Sequence, residues 1–297
     1  MLPVKYKDTA SFLSIENAKK NMFPFFRKLQ TNLICRWQEF CTFKVNILIN
    51  VMNTCLEVLM WFFLAKIIDP STLGYEGIGY MPFILVGSVA IYFVDGVGAS
   101  FTDKFHEDSQ SGLFKLVYLS NMHIGEYFLI NFLTMLLFDI FTIFIPMIIV
   151  YSLLVQFSAT GSMLYFGLEN WVTLLLALGI FIIGNLGFQL MTVGATLFLK
   201  QGNPVSFFME QLNRFFSGQY FPTTFLPRFL VFLPKVLPSA YIILIWRETL
   251  FLNHVYYQKE ILVLILSGLI VNLLIFLAGF YLFYYGIRRA KIEGRWF

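Results

Sequence analysis

The chain has 297 residues, of which 58% are hydrophobic and 13% charged, with a net charge of +4 and a mean hydropathy of +0.74. A soluble domain carries about 25% charged and about 45–50% apolar residues, so there is too little polarity here to clothe a globular surface in water. The composition excludes an ordinary soluble domain and predicts a polytopic, all-α membrane protein with lipid around most of its outside.

Residues 1–44 form a basic arm. They lack a leading apolar core and carry Lys and Arg over a long stretch, so they do not read as a cleavable signal peptide. Phe23, Phe26, Leu29, Leu33 and Trp37 recur at helical spacing, with Arg27, Lys28 and Arg36 on other faces. That pattern predicts an amphipathic interfacial helix, laid apolar side down on the inner leaflet or packed on a protein partner. Cys35, Cys41 and Cys55 are odd in number and provide no disulfide framework.

A spanning helix needs about 20 mostly apolar residues. Candidates run over 45–68, 80–101, 124–155 (with a kink expected at Pro146), 171–199 and 261–286. A shorter candidate, 205–221, precedes a stretch interrupted by Pro222, Pro227, Pro234 and Pro238, which reads as another crossing or as a re-entrant hairpin over 218–252. The distribution of basic residues separates the two. With six crossings and both ends inside, fifteen of the 21 Lys and Arg residues lie on the cytoplasmic side; Lys66, Arg228, Lys235, Arg247 and Lys259 lie outside. A crossing through the proline-rich stretch would expel the basic tail at 287–297. The expected organisation is therefore the arm, a six-span domain over 45–286 and the tail, in the plasma membrane. Tyr80, Tyr151, Tyr165, Trp171, Tyr241 and Trp246 fall near the predicted interfaces, where such rings anchor.

The chain has no G-x-x-x-x-G-K-[ST] loop, no G-x-S-x-G elbow and no Cys/His pairing. Its three histidines are scattered. His106-Glu107-Asp108 lacks ligand spacing and reads as a solvated helix start. No catalytic residue and no metal ligand is expected.

Two segments say more. Between spans two and three, the polar stretch 103–121 contains Glu107 and Gly112, with Leu113, Leu116 and Leu119 as an apolar ridge; a short helix there can pass a push into both spans. Beyond span five, the chain reads Ser217-Gly218-x-x-Phe221-Pro222-x-x-x-Leu226-Pro227, in which Gly218 and Pro222 permit a sharp reversal. Together these resemble the ABC-2 exporter permeases. Members have an N-terminal interfacial helix, six spans, a cytoplasmic coupling segment of the form E-x-x-x-G-T-L-E and an outer S-G-x-x-F-P-x-x-x-L-P motif. The outer motif matches in full. The coupling segment departs from the pattern, with Gly112-Leu113-Phe114-Lys115 in place of G-T-L-E and a different spacing from Glu107.

The resemblance implies a dimer of permease chains, as homodimer or with a second permease, on two separate ATPase subunits. ATP and Mg would be held by those subunits and none by this chain. Segment 107–119 would contact the ATPase and the hairpin would help close an outer gate. Implied substrates are drugs, glycolipids and lipid-linked or nascent polysaccharides; no nucleic acid is expected.

A charge at the bilayer centre costs about 2.5–3.5 kcal/mol on insertion scales, so such residues face protein or a wet cavity. Glu57, Asp95 and Asp139 lie in the first three spans, Asn185 and Gln189 share a face of the fourth, and Glu210 and Arg214 pair at i, i+4 in the fifth. They read either as a substrate path or as interhelical hydrogen bonding. The competing functional class is a proton-coupled secondary transporter built on the carboxylates; a third is a channel or scaffold with no coupling helix.

Overall fold

A computed structural model describes residues 24–42, 44–69, 73–75, 78–111, 117, 124–139, 165, 167–199 and 203–292. The regular elements among them are all helical: α1 (Pro24–Thr42), α2 (Lys44–Leu64), α3 (Tyr80–Gln110), α4 (Ile124–Asp139), α5 (Leu168–Leu199), α6 (Asn203–Phe216), a 3-10 turn (Thr223–Phe225), α7 (Phe232–Val236), α8 (Pro238–Leu252) and α9 (Lys259–Ile292).

Two helices, over Leu168–Leu197 and Lys259–Arg289, are long and apolar enough to cross a membrane. The core helix of a soluble protein passes the same test, but it is mostly buried. In α9 only 17% of the most apolar stretch is buried, and Leu262, Leu266, Leu273, Leu277 and Phe280 face away from the protein. Apolar side chains displayed over that length require lipid or another chain against them.

α5 and α9 form the spine. A Cβ on Gly187 would strike the backbone of Phe276, and one on Gly279 would strike the carbonyl of Gly187. Farther along, a Cβ on Gly194 would lie 3.0 Å from the Leu282 carbonyl and from the Phe283 nitrogen. The helices thus touch backbone to backbone, which only glycine permits. The paired residues advance together, Gly184 with Asn272, Gly187 with Phe276 and Gly194 with Phe283, so α5 and α9 run parallel. The start of α5 is laced to the loop before α9: Tyr257 donates to Glu169 (2.8 Å), and the Tyr256 amide donates to Thr173 Oγ1 (3.0 Å).

Two apolar clusters occupy opposite ends of this spine. One joins the end of α2 (Val58, Trp61) to Phe83 and Ile84 of α3, to α8 and to the first turns of α5 and α9. The other joins Phe105 of α3 to Phe128 and Phe132 of α4, Val193 of α5 and Phe283 of α9. α3 therefore descends parallel to α5 and α9, and α4 returns antiparallel to them.

Several elements depart from expectation. α3 continues unbroken from the predicted span to Gln110, because polarity alone does not end a helix. Lys104 lies 3.7 Å from Glu107 and 3.5 Å from Asp108 at i, i+3 and i, i+4 spacing, which supports the extra turns. The first half of the expected coupling segment is thus the end of α3. α6 has 14 residues, about 21 Å at about 1.5 Å per residue, shorter than the expected fifth span and than a hydrocarbon core of about 30 Å. α2 ends at Leu64 rather than 68, and α9 carries on through Arg288 and Arg289. Pro146 and the rest of the third span beyond 139 lie outside the described residues, as do Gly112, Leu113, Leu116 and Leu119.

α1 forms over the amphipathic stretch and gains a neighbour the sequence did not announce. Lys28 reaches Glu126 (2.7 Å), Asn32 donates to Asn131 (2.7 Å), and Trp37 meets Phe138 edge-on at 6.5 Å. Contacts on three successive turns dock it along α4. Of the aromatic residues expected at interfaces, Tyr165 and Trp171 are exposed. Tyr80 and Trp246 are buried, with the Trp246 indole donating to the Leu174 carbonyl (3.3 Å).

Candidate functional site

The motif residues all lie in one built structure. α6 ends at Phe216, Ser217 caps the turn with its hydroxyl on the Arg214 carbonyl (3.3 Å), and Gly218 adopts φ +88°. That left-handed conformation is disfavoured for a residue with a Cβ by about 1–2 kcal/mol. Pro222, at φ −59°, then starts the 3-10 turn, and Phe221 packs edge-on against Phe215 at 5.3 Å. Leu226 is buried. Beyond Pro227 the chain displays Phe229 and Phe232, before Leu237 and Ala240 pack back against Phe188 in the middle of α5. There Ser239 donates to Asn213 of α6, and α8 climbs to the α5 start, where the Leu250 carbonyl accepts from the Tyr165 amide (3.0 Å).

The centre of this structure is Arg247. Its Nη1 donates to the Gly218 carbonyl (2.7 Å), and its Nη2 donates to the carbonyls of Gln219 and Phe83 (3.0 Å each). The guanidinium carbon lies 3.5 Å from the centre of the Phe83 ring. Arg247 is 2% exposed, and no carboxylate pairs with it among the described residues. Its neighbour Glu248 is turned to Tyr75 (3.3 Å) and His254 (3.0 Å) instead. A buried cation without a counter-ion is costly. Three carbonyl dipoles and an aromatic face offset that cost, and they do so in a geometry that a planar fork can satisfy. Room for the fork comes from Gly87, where a Cβ would lie 2.6 Å from Nη2. Two further bonds fasten the same loop to α3: Gln219 Nε2 donates to Ser88 Oγ (3.0 Å) and Tyr80 Oη to the Tyr220 carbonyl (3.1 Å).

At the other end of α3, Glu107 is exposed and Asp108 is buried. Asp108 accepts the Tyr127 hydroxyl of α4 and faces Lys104. The end of α3 and the start of α4 are thereby pinned to each other.

Of the polar residues in the spans, Asn185 and Gln189 come together. Gln189 Nε2 donates to Asn185 Oδ1 (3.2 Å) and its Oε1 accepts from Thr102 of α3 (3.4 Å). Both residues are buried, and the Thr102 bond links α3 to α5. They are not among the residues lining the cavity of about 160 Å³ between α4, α5 and α9, which Phe128, Phe132, Leu186, Leu190, Phe276 and Phe283 line. Glu57 is half-buried on α2. Asp95 lies in α3 and Asp139 ends α4, with their side chains outside the described residues.

Two groups central to this geometry, Arg247 and Gly87, carry no motif in the sequence; Asp108, expected in a solvated helix start, is instead buried near the end of α3. By its place in the chain Arg247 counts among the outer basic residues. The signal was its position after Ile242-Ile-Leu-Ile245-Trp246, where a lone cation in an apolar run is expected to have an internal partner. Among the described residues, no three His, Cys, Asp or Glu side chains are grouped as a metal site. No family model matches the chain, and a search of curated proteins returns no match.

Proposed function

We propose that this chain is the membrane-spanning permease subunit of an ATP-driven exporter, with ATP hydrolysed by a separate ATPase subunit and with a second permease chain completing the path. The substrate class is a drug, glycolipid or lipid-linked polysaccharide, moved from the cytoplasm or inner leaflet. The observation that carries the proposal is the full Ser217-Gly218-x-x-Phe221-Pro222-x-x-x-Leu226-Pro227 match, whose Gly218 has the positive φ that a reversal needs.

The parallel course of α5 and α9 supports six spans. If both cross the membrane in the same direction, the chain between them crosses back an odd number of times. In this reading α6 together with the 217–221 loop would make one return, and 222–252, which packs on the middle of α5 through Leu237 and Ala240 and ends beside the α5 start, would be the re-entrant hairpin. The exposed Glu107 at the end of α3 is available to an ATPase groove.

The test is affinity purification of the tagged chain from its native membrane, with mass spectrometry and a vanadate-sensitive ATPase assay. The proposal expects a P-loop ATPase in the eluate, lost when segment 107–119 is broken. A clean preparation without an ATPase would overturn it and favour the proton-coupled reading on Glu57, Asp95 and Asp139.

A further inference from the structure

We infer that Arg247 is a positioning residue that makes the 217–221 loop move with α3, so that a change at the Asp108 end of α3 is carried to the loop at its other end. The inference takes its meaning from the permease reading but stands on geometry of its own. α3 is one helix of 31 residues, and about 37 Å of it separates Phe83 from Asp108 at about 1.5 Å per residue. Each end is fastened to a different body. At the Asp108 end the fastener is the Tyr127 hydroxyl, from the first turn of α4. At the Phe83 end it is the Arg247 fork, which holds one carbonyl of α3 and two of the loop at once.

Arg247 is suited to this because it belongs to neither body it joins. It stands on α8, whose own position is set by Ser239 on Asn213 and by the Trp246 indole on the Leu174 carbonyl. Rotation or tilt of α3 moves the Phe83 carbonyl and ring together, and the fork must either follow or break. Following is favoured, since a broken fork leaves the buried Gly218 and Gln219 carbonyls short of a donor and a buried cation with nothing beneath it. The bonds from Gln219 to Ser88 and from Tyr80 to Tyr220 bias the loop in the same direction.

The experiment is hydrogen–deuterium exchange on the full chain in lipid nanodiscs, read in peptides covering 217–226. Tyr127→Phe releases the far fastener. In the native Arg247 background it is expected to raise exchange in the loop about fivefold or more, the scale of an ordinary coupling between sites. In an Arg247→Lys background, where a point charge replaces the fork, the same change is expected to alter loop exchange less than about twofold. Gly87→Ala, whose Cβ would crowd Nη2 at 2.6 Å, serves as a second background if Arg247→Lys does not fold.

The inference is overturned if Tyr127→Phe leaves the loop unaffected in the native background. That result would mean α3 flexes within its length, at Gly96 or Gly98, so that its ends are independent. It is equally overturned if the effect persists undiminished in either folded background. Neither reading needs an ATPase, so failure of the permease proposal would leave the result interpretable.

Discussion

Arg247 and Phe83 meet twice. The guanidinium lies 3.5 Å above the Phe83 ring, and its Nη2 donates at 3.0 Å to the carbonyl of the same residue. One side chain on α8 thus reads both the side chain and the backbone of a single residue on α3. It also holds the reversal at Gly218, so the loop's conformation and its attachment are one structure.

The first consequence concerns Gly218. At φ +88°, with Thr223 Cγ2 3.0 Å from where a Cβ would stand, Gly218→Ala combines backbone strain with a contact that must give. The expected loss is about 1–2 kcal/mol, read as a lower thermal midpoint of the detergent-purified protein. An unchanged midpoint would mean that the loop relaxes out of the left-handed conformation without penalty.

The spine offers a sharper contrast between two glycines of one helix. Gly187 meets the backbone of Phe276, whereas Gly179, two turns earlier, has nothing within 4 Å of its Cβ position. Gly187→Val is expected to cost about 3 kcal/mol or more, because the obstacle is backbone rather than a movable side chain. Gly179→Ala is expected to be neutral or to stabilise by about 0.5–1 kcal/mol through helix propensity. Size-exclusion profiles and thermal midpoints of the two variants, side by side, test whether α5 and α9 are in backbone contact.

The helices themselves were legible, because runs of about 20 apolar residues have few alternatives. Less legible was anything that depends on a partner. Gly187 with Gly194, and Gly279 with Gly286, repeat at seven residues, but a seven-residue spacing means close packing only once two such helices are known to be neighbours. The end of α3 is hard to read because Asp103, Lys104, Glu107 and Asp108 form a polar stretch, whereas Lys104 at i, i+3 and i, i+4 from Glu107 and Asp108 sustains a helix. The burial of Arg247 is hidden from the sequence for a related reason. A count of basic residues by side treats every Arg as solvated, and only the surrounding carbonyls show that this one is internal.

The two fasteners at the start of α4 are expected to differ in strength although both involve charge. Lys28 and Glu126 are 2.7 Å apart with side chains 42% and 28% exposed, so solvent screens them. Lys28→Ala is expected to cost less than about 1 kcal/mol, shrinking further as salt is raised. Tyr127→Phe removes a donor from a carboxylate that is 2% exposed, and is expected to cost about 1–3 kcal/mol with little salt dependence. Stability of both variants at low and high salt distinguishes them; an equal, salt-sensitive loss would show that Asp108 is reached by water.

If α5 and α9 both cross the membrane, their parallel course fixes a pattern of sidedness. Cysteines introduced at Glu169 and Tyr257, whose native side chains bond at 2.8 Å, sit at the same end of the spine, whereas one at Arg289 sits at the other. Cys35 and Cys41 are exposed and Cys55 partly so; all three are first changed to Ser so that labelling reports only the new sites. In intact cells, a membrane-impermeant maleimide is expected to label positions 169 and 257 and to spare 289 until the membrane is opened. This follows from two inputs that do not depend on each other: backbone contacts set which ends lie together, and the positive-inside rule applied to Arg288 and Arg289 is the expectation for which end faces the cytoplasm. Labelling of 169 and 289 from one side, with 257 protected, would require antiparallel helices and contradict the glycine contacts. Labelling of 289 alone would keep the contacts and invert the membrane orientation, placing the Gly218 loop inside and removing the case for an outer gate.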